Sequence, residues 1–165
     1  MILIGIGSNL AGSGYDSPLQ TAAAALQELP KISIDVMRRS QWHLSEPVPA
    51  SEQPWFVNAV IAVRTELGPE PLLDRLLALE TRFGRARGEP NAARTLDLDL
   101  LDYQGRLCAT PRLLLPHPRL HERRFVLAPL CEIAPRWRHP RLGRTAEELL
   151  ASLPAGQPIR VFGET

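Results

Sequence analysis

Along the first 103 residues the spacing of apolar side chains switches period four times, and this order of switches limits the fold more than any single motif does. Met1 to Ile6 is a continuous apolar run that stops at Gly7-Ser8-Asn9, as a buried strand does when it meets a tight turn. Ser17-Pro18-Leu19-Gln20 has the form of a capping box with proline at the first helical position, and Leu19, Ala22, Ala23, Leu26 and Leu29 follow at helical spacing. Ile32, Ile34 and Val36 alternate with Ser33 and Asp35, which predicts a second strand running on toward Trp42. After a proline-rich loop over 45–54, Phe56 to Thr65 is a third strand, and leucines 72, 73, 76, 77 and 79 make Pro69 to Phe83 a second helix. Arginine-rich 84–94 is a loop. Thr95 to Tyr103 is a fourth strand, in which Leu96, Leu98 and Leu100 alternate with Asp97 and Asp99. The order β-α-β-β-α-β predicts an α+β fold: a ferredoxin-like antiparallel sheet with its helices on one face. A C-terminal extension follows, with Thr145 capping a third helix and Ile159 with Val161 forming an edge strand. With 165 residues and no internal repeat, the expectation is a single domain over 1–165.

Composition removes several functions. Of the 19 lysines and arginines 18 are arginine, and the one lysine, Lys31, follows Pro30, so no Gly-Lys-Ser/Thr phosphate loop exists and Schiff-base chemistry is disfavoured. Gly5-Ile6-Gly7-Ser8-Asn9-Leu10 lacks the third glycine of a dinucleotide fingerprint. Cys108 and Cys131 have no partner at zinc-ligand spacing and read as reduced thiols. No apolar run approaches the roughly 18 residues of a membrane span, and Met1 to Leu10 has no basic leader region, so a cytoplasmic protein off the membrane is expected. Residues 1–81 carry 5 basic and 9 acidic side chains and residues 82–165 carry 14 and 9. Such a basic half fits a nucleic acid, an anionic metabolite or a solvated arginine surface alike.

Asp97 and Asp99 carry the most chemistry. Two residues apart on a strand, they share a face while the leucines that alternate with them turn to the core. Such a pair is either solvated or bound to a divalent cation that takes oxygens from both. Arg82, Arg85, Arg87 and Arg94 precede it, and carboxylates beside arginines are what polyphosphate transfer needs. A second basic stretch, His117 to Arg144, holds seven arginines and is either an anion site or a solvated loop. Phe56 and Asn58 share a strand face next to Trp55, which suits a flat heterocycle gripped by stacking and read by an amide, or a core phenylalanine beside a strand-end asparagine.

Taken in order, Gly7-Ser8-Asn9-Leu10, Glu52-Gln53-Pro54-Trp55-Phe56-Val57-Asn58, Glu80 with Gly84-Arg85-Ala86-Arg87, Arg94-Thr95-Leu96-Asp97-Leu98-Asp99, and Pro116-His117-Pro118 with Arg123-Arg124-Phe125 resemble the 6-hydroxymethyl-7,8-dihydropterin pyrophosphokinases of folate synthesis. The resemblance implies transfer of the ATP pyrophosphoryl group to the pterin hydroxymethyl oxygen with release of AMP, on a ferredoxin-like fold, by a monomer using two magnesium ions. It implies Asp97 and Asp99 as ligands of both metals. Glu80, Arg85, Arg94, His117 and Arg123 fall on the nucleotide and its phosphates, with Arg85 and Arg94 at the transfer step. Phe56 and Phe125 would sandwich the pterin and Asn58 would read its edge, with backbone groups around Ser45, Pro47 and Val48 completing that pocket. Asn91-Ala92-Ala93-Arg94 stands where many members carry Trp-Gly-Pro-Arg, and Leu77 where some carry glutamine. Residues 84–94 would be a lid that orders when both substrates bind, closing here through arginine–phosphate contacts rather than an aromatic ring. Two rivals are a paralogue of the same fold with another acceptor or no activity, and a ferredoxin-like RNA-binding module. The latter needs a Lys/Arg-Gly-Phe/Tyr-Gly/Ala-Phe string that this chain lacks.

Overall fold

The computed structural model describes residues 1–47, 49–84 and 93–162. The elements run β1 (Ile2–Ser8), α1 (Pro18–Glu28), β2 (Asp35–Arg39), β3 (His43–Ser45), β4 (Phe56–Arg64), α2 (Pro69–Arg82), β5 (Asp97–Tyr103), β6 (Cys108–Ala109), β7 (Leu114–Leu115), α3 (Arg124–Ile133), α4 (Ala146–Ser152) and β8 (Ile159–Val161). One antiparallel sheet has the order β5-β1-β4-β3-β8, with β2 also paired to β4. In terms of the four expected strands this is fourth, first, third, second. The two added caps form as expected: Ser17 Oγ accepts from Gln20 N at 3.1 Å, and Thr145 Oγ1 from Glu148 N at 3.1 Å.

The second strand departs from expectation. Residues Leu29–Ile32 form a 3₁₀ turn and Ser33 takes a left-handed φ of 70°, so pairing starts only at Asp35. It stops again after Arg39, where Ser40 bonds Val60 through both its backbone N–H and its Oγ, and resumes at His43. What reads as one strand is two.

The two helices expected on one face lie there, and the C-terminal extension adds to them. α1 and α2 cover one face, packing Ala22, Leu72, Leu76 and Leu79 on Ile4, Ile6 and Ile61. The C-terminal extension supplies a second layer on the opposite face, where Val126, Leu127 and Leu130 of α3 and Leu149 of α4 meet Leu3, Val60 and Leu101. The physical reason lies in β1 and β4, which are apolar on both faces and require cover on both. Among the described residues no helix is long and apolar enough to cross a membrane, and Cys108 and Cys131 are free and half-buried.

Candidate active site

The site is laid out as a row across β4, β1 and β5. Gly7 of β1 is paired with Asn58 of β4 on one side and with Asp97 of β5 on the other, and Gly5 sits in the same way between Val60 and Asp99. Opposed residues of antiparallel strands project to one face, here the face of α3 and α4. Asn58 and Asp97 are therefore two strand spacings apart, about 10 Å. Glycine keeps the floor between them low: a Cβ on Gly7 would lie 3.0 Å from Asn58 Oδ1 and 3.7 Å from Phe56 Cδ1. Arg123 and Phe125, at the start of α3, close the row from above, with the Arg123 guanidinium 5.3 Å from the Phe125 ring centroid.

Two cavities meet along this row. The smaller, about 110 Å³, is bounded by Ser45, Glu46, Pro47, Phe56, Asn58 and Phe125. Asn58 Nδ2 donates to Ser45 Oγ, and both side chains are buried, which fixes the amide's orientation at the cavity wall. The larger, about 390 Å³, lies along the outer edge of β5 between α2 and the 110–118 segment and takes in Glu80, Asp99 and His117. Arg94 and Asp97 line both, with Arg94 Nη1 3.2 Å from Asp97 Oδ2.

Electrostatics in the row oppose one another. Burial, and then the neighbouring Asp97, push the Asp99 carboxyl up to about 7, while Arg123 and Arg94 pull it back. Burial lowers the Arg123 guanidinium from its ordinary value, against Asp99 and Asp97. Burial followed by Arg123 drives His117 down to about 4, so its imidazole is neutral and its Nδ1 accepts from Arg119 N at 3.2 Å. Two carboxylates on one face, one of them unwilling to ionise beside the other, are a donor set suited to a hard divalent cation. Among the described residues no group of three or more His, Cys, Asp or Glu is gathered for a metal.

Most of the sequence-predicted residues are thus brought together. Phe56, Asn58, Ser45, Pro47 and Phe125 share the smaller cavity, and Glu80, Arg94, Asp97, Asp99 and His117 the larger, while Arg123 lines the smaller and acts electrostatically on Asp99. Glu80 is buried and braces β5, accepting from Leu98 N at 2.7 Å. Val48, Arg85 and the lid expected over 84–94, apart from its ends, lie outside the described residues. Asn9 is a residue whose role the spacing did not reveal. Its N–H donates to Arg94 O at 3.0 Å and its Oδ1 accepts from Arg94 N at 2.7 Å, while Nδ2 donates to Gln53 Oε1 and Pro54 O, each at 3.1 Å. It joins the arginine of one cavity to the loop beside the other. Gly7, expected to open a tight turn, lies instead inside β1, where the lack of a Cβ allows the close approach of Asn58.

Residues 3–135 match the model of the 7,8-dihydro-6-hydroxymethylpterin-pyrophosphokinase family. The chain is 40% identical over 149 residues to a 2-amino-4-hydroxy-6-hydroxymethyldihydropteridine pyrophosphokinase of Synechocystis sp., covering 90% of this chain and 73% of that protein. It is 40% identical over 153 residues to the protein of the same description in Pseudomonas aeruginosa, covering 93% and 91%. Its fold is similar to that of the Plasmodium falciparum HPPK-DHPS crystallised with pteroate, with a TM-score of 0.71, 11% identity, and coverage of 91% of this chain and 43% of that one.

Proposed function

The chain belongs to the 7,8-dihydro-6-hydroxymethylpterin-pyrophosphokinase family, and from that premise we infer how its two cavities divide the reaction. The activity is ATP-dependent transfer of a pyrophosphoryl group to the hydroxymethyl group of 6-hydroxymethyl-7,8-dihydropterin, with release of AMP, in folate biosynthesis. The smaller cavity takes the pterin: Phe56 and Phe125 flank the ring, and Asn58, held by Ser45, reads its edge beside Pro47. The larger takes the nucleotide, with Arg94 and Arg123 on the phosphates, Arg85 joining them, and His117 offering a neutral imidazole rather than a second charge. Glu80 acts here by holding β5 in place through Leu98 N.

Asp97 and Asp99 would hold magnesium, two ions in all. Bound there, magnesium neutralises polyphosphate charge and polarises the group in transit. The protein's own part is positioning and charge stabilisation, with no covalent intermediate. Arg94, fixed at its backbone by Asn9 and at its guanidinium by Asp97, is preorganised for charge that develops between the two cavities. On this reading residues 1–165 work as one domain, as a monomer on small-molecule substrates in the cytoplasm, which light scattering and fractionation would check.

The observation that carries the division is that Arg94 and Asp97 line both cavities, so a group passed from one to the other crosses in front of them. The test is AMP release from ATP and magnesium with and without 6-hydroxymethyl-7,8-dihydropterin. AMP that forms only with the pterin is expected; AMP release indifferent to it would overturn the assignment.

A further inference from the structure

Among the described residues between Ser45 and Phe56 there is no helix or strand, and the stretch includes Pro47, Pro49 and Pro54. Yet its first residues, Glu46 and Pro47, form a wall of the smaller cavity. Something has to hold that wall in register. From within the site Asn9 grips Gln53 and Pro54. From outside, the grip comes from the C-terminal segment, beyond the stretch matched to the family.

β8 lies along β3, setting Ile159 opposite Ser45 and Val161 opposite His43, and Phe162 N donates to Trp42 O at 2.7 Å. It covers the outer edge of a strand only three residues long. Just before β8, both main-chain groups of Glu46 are taken by the tail: Glu46 N donates to Pro158 O at 3.2 Å, and Gln157 Nε2 donates to Glu46 O at 2.8 Å. At the far end of the loop, the Arg160 guanidinium lies 5.8 Å from the ring centroid of Trp55, the residue before Phe56. One segment therefore clasps the loop where it leaves β3 and where it returns to β4. Glu46 and Pro47 line the smaller cavity and not the larger.

We infer that Gln157 and Arg160 are positioning residues for the acceptor pocket, holding the Glu46–Trp55 loop against the heterocycle while leaving the nucleotide side untouched. The inference rests on the pterin occupying the smaller cavity. Removing a hydrogen bond and a cation–π contact from the two loop ends loosens one pocket only, so the two substrates should respond differently.

The experiment uses the full chain with Gln157→Ala, Arg160→Ala and the double variant. Steady-state kinetics give KM for each substrate and kcat. Calorimetry gives Kd for the dihydropterin and for a non-hydrolysable ATP analogue with magnesium, and a melting curve reports stability. The double variant is expected to weaken dihydropterin binding about tenfold and to raise its KM correspondingly, with kcat, nucleotide affinity and melting midpoint unchanged. Gln157→Glu, which keeps the size but loses the donor, should behave as Gln157→Ala does. Unchanged dihydropterin affinity in the double variant would overturn the inference, as would a parallel loss of both ligands or a lowered midpoint, the marks of a merely structural tail. Failure of the unaltered enzyme to bind dihydropterin would overturn the reading of the cavity itself, and this inference with it.

Discussion

Asp99 answers to two opposed demands. Folding half-buries it beside Asp97, which favours the protonated acid, while the chemistry needs a carboxylate to hold a cation. Because its folded value is raised from 3.8 to about 7, its contribution to stability declines as pH rises through that window, and the metal-free protein bears the full repulsion above it. Asp99→Asn should therefore stabilise the metal-free enzyme, by about 1 kcal/mol or a few degrees of melting midpoint. Turnover should drop about a hundredfold or more. Asp97→Ala should lose turnover equally without unfolding. Melting curves with and without magnesium, read beside AMP release, check both; an Asp99→Asn protein that melts no higher than wild type in chelator would show that no repulsion is stored there. Gly7 poses the converse case, an absence that is used. Gly7→Ala would set a methyl 3.0 Å from Asn58 Oδ1 and push the amide away from Ser45. We expect about a tenfold loss of dihydropterin affinity, near the cost of one buried hydrogen bond, and little change in nucleotide affinity. Calorimetry with each ligand separates the two.

At the scale of elements, α3 joins the two cavities, since Phe125 faces the pterin side and Arg123 the row of carboxylates. Phe125→Ala should weaken dihydropterin binding by about 1–3 kcal/mol, as loss of a stacking face does, and Arg94→Ala should fall on the nucleotide and the transfer step. Equal losses of one ligand in both variants would contradict this division. α3 was also the element least legible in the sequence. Pro129 and the arginines at 119, 123 and 124 argued locally for a loop, yet Pro129 lies inside the helix and Val126, Leu127, Leu130 and Ile133 supply its apolar face. The available signal was indirect: β1 and β4 are apolar at successive positions, and two-faced burial demands a second layer. By contrast β5, α1 and α2 declared themselves through period alone, as did the shared faces of Asp97 with Asp99 and Phe56 with Asn58. That Asn58, Gly7 and Asp97 fall in one row could not be read, because register between distant strands is set by long-range packing. The split of the second strand was hidden for a similar reason: Ser40 takes up both partners at the break only when β4 lies beside it.

For the molecule as a whole, acid should act first on the α3–α4 layer. His139, in the turn between those helices, is 3% exposed, and its Nδ1 accepts from Arg141 N and Leu142 N, each at 3.2 Å. Burial, and then His121, lower its pKa. The unfolded chain therefore binds a proton that the folded one refuses, and stability present above about pH 6.5 is lost as pH falls below it. His117 adds to the same loss between 6.5 and about 4. Asp99 acts in the opposite sense over this range, so the check is a comparison: across pH 7.5, 6 and 5, His139→Asn, which keeps an acceptor but cannot titrate, should lose less of its midpoint than wild type. An unchanged slope would exonerate His139. Strand length has a further consequence, for heat. The distance from Asn58 to Asp97 is spanned by β4, β1 and β5, which are 9, 7 and 7 residues long, whereas the wall at Glu46 hangs on β3 and β8, of 3 residues each. Short pairings fray before long ones. On warming, the acceptor pocket should slacken while the span between heterocycle and carboxylates holds, so the enzyme would grow hungry for pterin, its KM climbing well below the melting midpoint, while kcat still rises.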